Sequence, residues 1–375
     1  MRRTIIFVGP GRLPIPCDKG AIEEVIWKTS LELAKRGFNV EIYNPLSTNI
    51  IVKGAKMLKL HGSLKNADKD TLHFHDILSC VSYSSTVVEY RVKNTVLTLH
   101  YPPWVTKSRR RFTLMVSLVR YLANKGAVFT APSTAVVHWL RKTFKARTYF
   151  VPNGVDVELF RPSKRSQEMR EKLLERKEIL ITNVGRIHPD KNQIDLIKAI
   201  NLLIHEYGVR NFKVLLIGPL SGMFNYEYKK SINSYYFLLK NYVEKNDLRN
   251  HVAFLGEVSN KEVARILASS DIYVHTSLVE VALPLAVMEA MASGLPVIAY
   301  RLVYYDFIVD GLNAITVDKK DVHGLSRKLA EIVEDEKLRE HLGENARKFA
   351  ENYLSWSSIV ENYYIRLYSD LGEKL

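Results

Sequence analysis

The chain has 375 residues, 47% of them hydrophobic and 25% charged, which is the composition of a soluble globular protein large enough for two domains. No apolar stretch approaches the roughly 20 residues of a membrane-spanning helix, and the first apolar run is too short for a signal peptide. The two cysteines form no disulfide framework or metal-binding spacing, so we expect a protein of the reducing cytoplasm, while a formal net charge of +14 favours anionic partners.

The first part of the chain alternates short apolar runs with amphipathic segments. We predict strands at residues 4–8, 38–43, 71–74, 96–99, 128–131 and 148–151. A helix is predicted over residues 21–36, where apolar residues recur at helical spacing before the helix-ending Gly37. Strands that alternate with helices indicate parallel βαβ units and a doubly wound sheet.

The same rhythm restarts after a highly charged segment at residues 161–177, which predicts a linker there. Further strands are predicted at residues 179–184, 212–217, 252–255, 272–275 and 296–299. Helices are predicted at 190–207, at 260–268 with Ser259 as N-cap, before Gly294, and throughout the tail from 322 to 371.

These elements predict an α/β protein with two Rossmann-like, doubly wound parallel-sheet domains. The predicted boundaries are residues 1–160 for the first domain, 161–177 for the linker and 178–355 for the second domain. We expect residues 356–375 to form a helix that packs back on the first domain. Two such halves are expected to leave a cleft between them, a common place for ligand sites.

A basic cluster precedes an apolar segment in the first half. Lys107, Arg109, Arg110 and Arg111 are followed by apolar residues from Phe112 onwards. One interpretation is a helix that lies on an anionic membrane, which would place these four cations on an acceptor or membrane side. The other is a solvated loop that leads into a core helix.

Two segments of the second half could carry chemistry. At residues 183–191 a strand ends, Gly185 turns the chain and a helix is predicted to begin near Pro189, where amide groups could face an anion flanked by Arg186 and Lys191. The alternative is an ordinary exposed loop with two surface cations. Glu289 lies inside an apolar helix, where we expect its carboxylate to face a cleft or to be satisfied by a nearby cation.

Several motifs together resemble the retaining glycosyltransferases of family 4, which have the two-domain GT-B fold. The most specific are the Pro-Asn-Gly-Val-Asp run at 152–156 and the Glu-Ala-Met-Ala-x-Gly-x-Pro-Val-Ile run at 289–298. Others, in order, are the Gly-Ala-Ile-Glu run at 20–23, the His-Phe-His-Asp strand end at 73–76, Thr-Leu-His at 98–100, Gly185-Arg186 with Lys191, and Asp310-Gly311. The resemblance covers nearly the whole chain.

The resemblance implies a nucleotide-sugar donor and a hydroxyl acceptor that is a glycan or is lipid-linked. It implies catalytic roles for Arg186 and Lys191, which would bind the donor diphosphate, and for His100, near the reacting sugar. It implies donor contacts from Gly20, Gly185, Glu280, Glu289 and Leu285, with Glu289 on the ribose. No residue stands out as a nucleophile, so the resemblance implies front-face attack with retention. Neither a cofactor nor a metal ion is expected.

The chain departs from the family pattern at three places. The family has a second glutamate eight residues before the one at 289, where this chain has Val281; an extra loop residue would let the neighbouring Glu280 replace it. Ala21 replaces the second glycine of a Gly-Gly pair. Val303, Tyr304 and Tyr305 replace another glycine pair.

Three other functions remain open on the sequence. A sugar-nucleotide epimerase could use the same two-domain plan, and a degenerate binding subunit could result from the Val281 change. Charge alone suggests a nucleic-acid binder, but no recognised basic-aromatic motif accompanies it, so we expect no nucleic acid. The letters Asp68-Lys69-Asp70 match a metal-binding Asp-x-Asp motif but lie far from the phosphate cluster, so we interpret them as chance.

Overall fold

A computed structural model of the chain describes residues 4–11, 13–16, 20–44, 46, 51–52, 55–58, 71–75, 77, 95–106, 108–174, 178–220 and 226–372. These residues form two compact units. The first contains Met1–Gly154, Val281–Leu283 and Trp356–Leu375, and the second contains Val155–Glu280 and Pro284–Ser355.

Fourteen strands lie within the described residues. They are β1 Thr4–Val8, β2 Asn39–Tyr43, β3 Ile51–Val52, β4 Ala55–Leu58, β5 Thr71–Phe74, β6 Thr95–Thr98, β7 Val128–Ala131, β8 Thr148–Phe150, β9 Ile179–Val184, β10 Phe212–Ile217, β11 Val252–Gly256, β12 Ile272–His275, β13 Val297–Tyr300 and β14 Ile315–Val317.

Twelve α-helices accompany these strands in the described part of the chain. They are α1 Ala21–Lys35, α2 Arg109–Asn124, α3 Thr134–Phe144, α4 Gln167–Leu173, α5 Gln193–His205, α6 Tyr226–Lys245, α7 Asn260–Ser269, α8 Leu285–Ala292, α9 Val322–Glu334, α10 Glu336–Phe349, α11 Trp356–Ile359 and α12 Ile365–Asp370. Short 3₁₀ turns occur at Pro103–Val105, Pro162–Lys164 and Pro189–Lys191, and π-helical turns at Ala350–Leu354 and Val360–Tyr364. None of the helices described in these ranges is long and apolar enough to cross a bilayer.

The sheet of the first unit has eight strands in the order β3-β4-β2-β1-β5-β6-β7-β8. All its neighbouring pairs are parallel except β3 with β4. The central strands β5, β6 and β7 are buried at every position, including their polar residues. His73 Nε2 lies 2.6 Å from Thr98 Oγ1, which lies 2.6 Å from Thr130 Oγ1, so these buried polar groups satisfy one another. Tyr364, Leu367 and Tyr368 of the C-terminal segment belong to the core of this unit, together with Ile5, Phe7 and Val40.

The sheet of the second unit has six parallel strands in the order β11-β10-β9-β12-β13-β14. The chain order reverses beside β9, which pairs with β10 on one side and β12 on the other. In an open parallel sheet, ligands bind beyond the carboxyl ends of strands at this kind of switch point. The loops that follow β9, β10 and β12 therefore form the candidate site of this unit.

The charged segment at residues 161–177 differs from the predicted linker. Its described part contains the turn Pro162–Lys164 and helix α4, and Ser166 caps that helix by accepting a hydrogen bond from the Met169 amide. Arg165 and Arg170 each form an ion pair of 2.8 Å with Asp271. The charges of this segment thus attach it to the second unit instead of keeping it solvated.

Two predicted helices are interrupted. The helix expected over residues 190–207 is divided by Asn192, whose φ of 53° is left-handed, so that α5 starts only at Gln193. The C-terminal tail is broken at Asp335, which caps α10 through the Leu338 amide at 2.9 Å, and at Ser355, where the backbone is extended. Side-chain capping outcompetes helix continuation at Asp335.

Candidate active site

The loop after β9 runs along the end of β10. The Gly185 amide donates to the Ile217 carbonyl at 2.8 Å, and the Ile187 amide donates to the Pro219 carbonyl at 3.2 Å. The side chain of Arg186, between them, is exposed and forms no ion pair within the described ranges. A Cβ on Gly185 would meet only Lys191 Cγ, at 3.9 Å, so this glycine leaves open space beside that lysine.

Gly218 supports this loop and was not identified from the sequence. Its φ of 145° is a conformation that residues with side chains rarely adopt. A Cβ at this position would collide with the Gly185 carbonyl group and approach the Arg186 amide nitrogen to 3.2 Å. A glycine directly after a buried strand was the only sequence signal for this role.

The structure has a short 3₁₀ turn at Pro189–Lys191, where the sequence predicted the start of a helix. The amides of Asp190, Lys191 and Asn192 donate within the chain, to His188 Nδ1 and to carbonyl groups of the turn. These amides therefore do not point freely at an anion, contrary to the sequence-based expectation. The side chains of Arg186 and Lys191 remain as the candidate anion-binding groups of this loop.

The segment after β12 positions Lys191. Thr276 Oγ1 donates to the Lys191 carbonyl at 3.1 Å, and both Ser277 Oγ and the Leu278 amide donate to the Asp190 carbonyl, at 3.1 and 2.8 Å. These bonds tie the turn to the chain that leads directly to Glu280. Two segments that are distant in sequence are thereby held side by side at the carboxyl edge of the sheet.

Lys191, Glu280, His275 and Tyr273 form one chain of polar contacts. Lys191 Nζ forms an ion pair with Glu280 Oε1, and His275 Nε2 lies 3.3 Å from the same oxygen. The Tyr273 hydroxyl lies 3.2 Å from His275 Nδ1. Because a carboxylate accepts only, His275 donates from Nε2 and accepts the Tyr273 proton at Nδ1. His275 and Tyr273 were not predicted as site residues.

Burial and nearby charges shift the pKa values of Glu280, His275 and Tyr273. Burial raises the pKa of Glu280, but the hydrogen bond from His275 and the charge of Lys191 outweigh it and lower that pKa to about 2. Burial lowers the pKa of His275 more than Glu280 raises it, so the imidazole is neutral. Burial, together with the nearby charge of Glu289, raises the pKa of Tyr273. The site therefore holds an anionic Glu280 between a cation and a neutral hydrogen-bond donor.

The remaining predicted donor residues of the second unit lie on α8. Leu285 is its first residue and Glu289 stands one turn further, and both are half-buried. The charge of Glu289 is, after burial, a cause of the raised pKa of Tyr273. Glu280, not Val281, is the carboxylate that this site contains. In the second unit the structure thus brings Gly185, Lys191 and Glu280 together, with Arg186 next to Gly185, while Leu285 and Glu289 lie on α8 of the same unit.

Tyr305 occupies the loop where a family glycine pair is replaced. Its side chain is buried, and its hydroxyl has no hydrogen-bond partner among the described residues. Burial, followed by the nearby Glu280 and Tyr273, raises its pKa. The replacement of glycine thus fills space beside Glu280 with an aromatic ring and one unsatisfied hydroxyl group.

Gly20 and His100 belong to the first unit. Gly20 has a φ of 96° at the start of α1, where a Cβ would collide with the Glu23 carboxylate and lie 2.8 Å from Leu13 Cδ1. His100 Nε2 lies 3.1 Å from His75 Nδ1, and His75 stacks in turn on His73 with ring centroids 4.5 Å apart. Burial lowers the pKa of His100 to about 4, so its imidazole is neutral.

The predicted basic segment lies at the start of α2. Arg109, Arg110 and Arg111 are exposed in its first turn, next to exposed Phe112 and Leu114, whereas Lys107 lies outside the described residues. Because a helix N-terminus already carries partial positive charge, three arginines there are unfavourable without an anion nearby. The three arginines therefore belong to the helix and not to a loop before it.

Within the described ranges, no three His, Cys, Asp or Glu side chains are grouped as metal ligands would be. The Asp68-Lys69-Asp70 motif lies outside those ranges.

Solved structures define the fold. Sucrose-phosphate synthase from Thermosynechococcus elongatus superimposes with a TM-score of 0.79 at 18% identity, over 99% of each chain. Anabaena Alr3699/HepE, solved with UDP and glucose, gives a TM-score of 0.75 at 19% identity, over 98% of this chain and 100% of that one. Two units with parallel sheets and a C-terminal segment returned to the first unit are the GT-B architecture of glycosyltransferases.

Family models cover most of the chain. The model for glycosyl transferases group 1 matches residues 164–349, and the model for glycosyltransferase family 4 matches residues 36–159. The chain belongs to glycosyltransferase family 4.

Curated relatives agree with this assignment. A D-inositol 3-phosphate glycosyltransferase from Corynebacterium glutamicum is 25% identical over 93% of this chain and 91% of its own length. The UDP-Gal:alpha-D-GlcNAc-diphosphoundecaprenol alpha-1,3-galactosyltransferase of Escherichia coli is 27% identical over 50% of this chain. That match, like the one to the sulfoquinovosyl transferase SQD2 of Arabidopsis thaliana, spans about half of the relative's length (46% and 48%).

Proposed function

We propose that this protein transfers a sugar from a nucleotide-sugar donor to a hydroxyl group of an acceptor, with retention of the anomeric configuration. The observation that carries the proposal is the placement of Lys191 beside the open face of Gly185, with Arg186 exposed next to it. Two cations at the carboxyl edge of a parallel sheet suit a diphosphate. The complexes of Anabaena Alr3699/HepE with UDP and with UDP-glucose support a donor of this class.

The leaving group is the nucleoside diphosphate. As the bond between the anomeric carbon and the phosphate oxygen breaks, negative charge accumulates on the diphosphate, and Arg186 and Lys191 stabilise it. These cations supply the charge that a divalent metal supplies in other sugar transferases, so we expect transfer without added metal.

Retention follows from front-face attack. The acceptor oxygen bonds to the anomeric carbon on the face that the diphosphate leaves, through an oxocarbenium-like state. The acceptor proton passes to the departing phosphate oxygen, so no side chain needs to act as a nucleophile. Atoms balance as a glycosylated acceptor and a nucleoside diphosphate.

The remaining site residues hold the donor. Glu289 accepts hydrogen bonds from the ribose hydroxyls, and Glu280 accepts from the donor sugar after its pair with Lys191 is exchanged for the diphosphate. Leu285 borders the donor on α8, and Gly20 lets the backbone of the first unit approach it. His100, neutral through burial, hydrogen-bonds the reacting sugar or the acceptor hydroxyl.

The acceptor is a glycan or a lipid-linked molecule on the cytoplasmic face of a membrane. Three exposed arginines stand at the start of α2, beside exposed Phe112 and Leu114. The arginines are suited to contact anionic lipid headgroups, and the two apolar side chains are suited to contact acyl chains. The diphosphoundecaprenol named for the Escherichia coli relative supports a lipid-linked acceptor. Peripheral attachment through α2 brings such an acceptor to the enzyme.

A transfer assay tests the proposal. The chain is incubated with UDP-, GDP-, ADP- and TDP-sugars and membrane lipid extract, and proton NMR reports the anomeric configuration of the product. We expect a retained configuration, and a loss of turnover of about 100-fold or more in Arg186→Ala with unchanged thermal stability. Arg210→Ala, an exposed arginine of the same unit, is the matched control. An inverted product or equal loss in both variants would contradict the proposal.

A further inference from the structure

A cleft of about 560 Å³ lies on the first unit, and its lining shares no residue with the site described above. Its lining contains Arg141, Lys145, Arg147 and Arg366, with Asp370 as the single carboxylate among the lining residues. Four cations from α3, from the loop between α3 and β8, and from α12 thus line one concave surface. We propose that this cleft binds a phosphate or diphosphate group at a site separate from the donor loop.

The charges of the cleft are not neutralised from within. Asp370 already accepts a hydrogen bond of 2.9 Å from the Tyr149 hydroxyl, and the carboxyl end of α3 contributes about half a negative charge. These offset at most one and a half of the four positive charges. Arg141, Lys145 and Arg366 form no ion pair within the described part of the chain, so the cleft retains a net positive charge suited to a dianion.

Two guanidinium groups are held in place without losing their charge. Arg147 donates to the Tyr149 hydroxyl at 2.8 Å and to the Asp370 carbonyl at 3.0 Å. Arg141 donates to the Thr148 carbonyl across the same cleft. Because their fixing partners are neutral oxygens, both groups are preorganised and still cationic, which is the arrangement that favours phosphate oxygens.

Lys145 adds an independent observation. It ends α3 in the left-handed conformation with a φ of 54°, where its amide donates to the Arg141 carbonyl at 3.1 Å. Glycine is the residue that this position favours, and a side chain there is strained. A lysine instead of a glycine at this left-handed position adds an ammonium group to the lining of the basic cleft.

The chemistry of the site is that of a phosphate ester, which two sources supply. One is a soluble phosphate or diphosphate, and the other is the headgroup of an anionic lipid. Inorganic pyrophosphate is the probe for the first, and vesicles of phosphatidylglycerol in phosphatidylcholine are the probe for the second.

Calorimetry with pyrophosphate tests the site in the full chain. Lys191→Ala is used as the background, so that the donor loop does not contribute. In this background we expect Arg141→Gln with Arg366→Gln to weaken pyrophosphate binding tenfold or more, and Lys142→Gln, an exposed neighbour on α3 outside the cleft, to change it less than twofold. Equal affinity in the double variant and the control would overturn the proposal.

Lys145→Gly separates binding from folding. Relief of the left-handed strain should keep or raise the melting temperature, while pyrophosphate binding weakens about fivefold. Unchanged binding in this folded variant would also overturn the site. Flotation with the vesicles then identifies which phosphate source binds the cleft. A loss of vesicle binding in the double variant, but not in Lys142→Gln, assigns the site to lipid headgroups. Unchanged vesicle binding together with lost pyrophosphate binding assigns it to soluble phosphates.

Discussion

Glu280 and Lys191 form an ion pair across 89 positions of sequence, and the carboxylate that completes it also accepts a hydrogen bond from His275. Lys191 is the cation that we assign to the donor diphosphate. Before the donor binds, Glu280 therefore occupies the place of the diphosphate on this lysine. Donor binding exchanges one anion for another, which avoids leaving a partly buried ammonium group without a partner.

Replacement of this carboxylate separates its two roles. Glu280→Gln should lower the free energy of unfolding by about 3 kcal/mol, because Lys191 loses its partner. The same change should tighten the binding of UDP threefold to tenfold, on the order of 1 kcal/mol, because no internal anion then competes for Lys191. It should not tighten the binding of the complete sugar nucleotide. Thermal shifts with UDP measure both effects, and Glu334→Gln, an exposed glutamate of α9, is the control. Weaker UDP binding in Glu280→Gln would refute the exchange.

The stability contributed by Glu280 should depend on pH in one direction. Its pKa is lowered from 4.5 to about 2 in the folded protein, so its contribution is complete above pH 4.5 and is lost as the pH falls towards 2. The difference in unfolding free energy between the wild type and Glu280→Gln should be constant from pH 6 to 8 and shrink by about 1 kcal/mol at pH 3.5. Urea unfolding at each pH measures it, and a difference that grows on acidification would contradict the ion pair.

Gly185 and Gly218, which lie close together in the structure, should respond differently to replacement by alanine. Gly185→Ala has room for its Cβ and should fold normally, but it narrows the space where the diphosphate approaches and should weaken donor binding about tenfold or more. Gly218→Ala should lose about 2 to 4 kcal/mol of stability, because its Cβ collides with the Gly185 carbonyl and its φ is strained.

Gly208→Ala controls for strain alone, since its φ is also positive but nothing lies near its Cβ. It should lose only about 1 kcal/mol and keep full donor affinity. Equal destabilisation of Gly208→Ala and Gly218→Ala, measured by chemical unfolding, would show that the contact with Gly185 does not matter.

His275 should act on the donor through Glu280. His275→Leu removes the donor hydrogen at Nε2 and should weaken the binding of the sugar nucleotide by about tenfold, equal to about 1.4 kcal/mol. His275→Gln keeps an N–H group near the position of Nε2 and should recover most of that affinity. Calorimetry on both variants is the measurement. Equal donor affinity in His275→Gln and His275→Leu would show that the hydrogen bond from His275 does not position Glu280.

Sequence reasoning located the strands well because of burial. Strands β1, β5, β7, β9, β10 and β12 have the predicted bounds, since parallel strands covered on both faces are short segments rich in apolar residues between turn signals. It was less successful where side chains compete locally with the backbone, as at Asn192 and Asp335. The charged residues 161–174 resembled a linker because the ion pairs with Asp271 connect residues about 100 positions apart.

The site was predictable where it follows a motif. Arg186, Lys191 and Glu289 were predicted from motifs, and their donor-binding roles stay predictions. The structure places Glu280 beside Lys191 where the sequence left a choice between Glu280 and Val281. His275 and Tyr273 were missed because they end an apolar strand and look like core residues. Only the adjacency of β9 and β12 in the sheet shows that they meet the loop that carries Lys191.

The central claim is that Lys191 and its loop bind the diphosphate of a nucleotide sugar. The most direct measurement is a thermal-shift screen of the wild type, Lys191→Ala and Lys198→Ala against UDP-, GDP-, ADP- and TDP-sugars without added metal. Lys198 is an exposed lysine on α5 and serves as the control. We predict that one class of nucleotide stabilises the wild type and Lys198→Ala, and that the shift disappears in Lys191→Ala. Equal stabilisation of all three proteins, or no stabilisation of the folded wild type by any nucleotide sugar, would contradict the account.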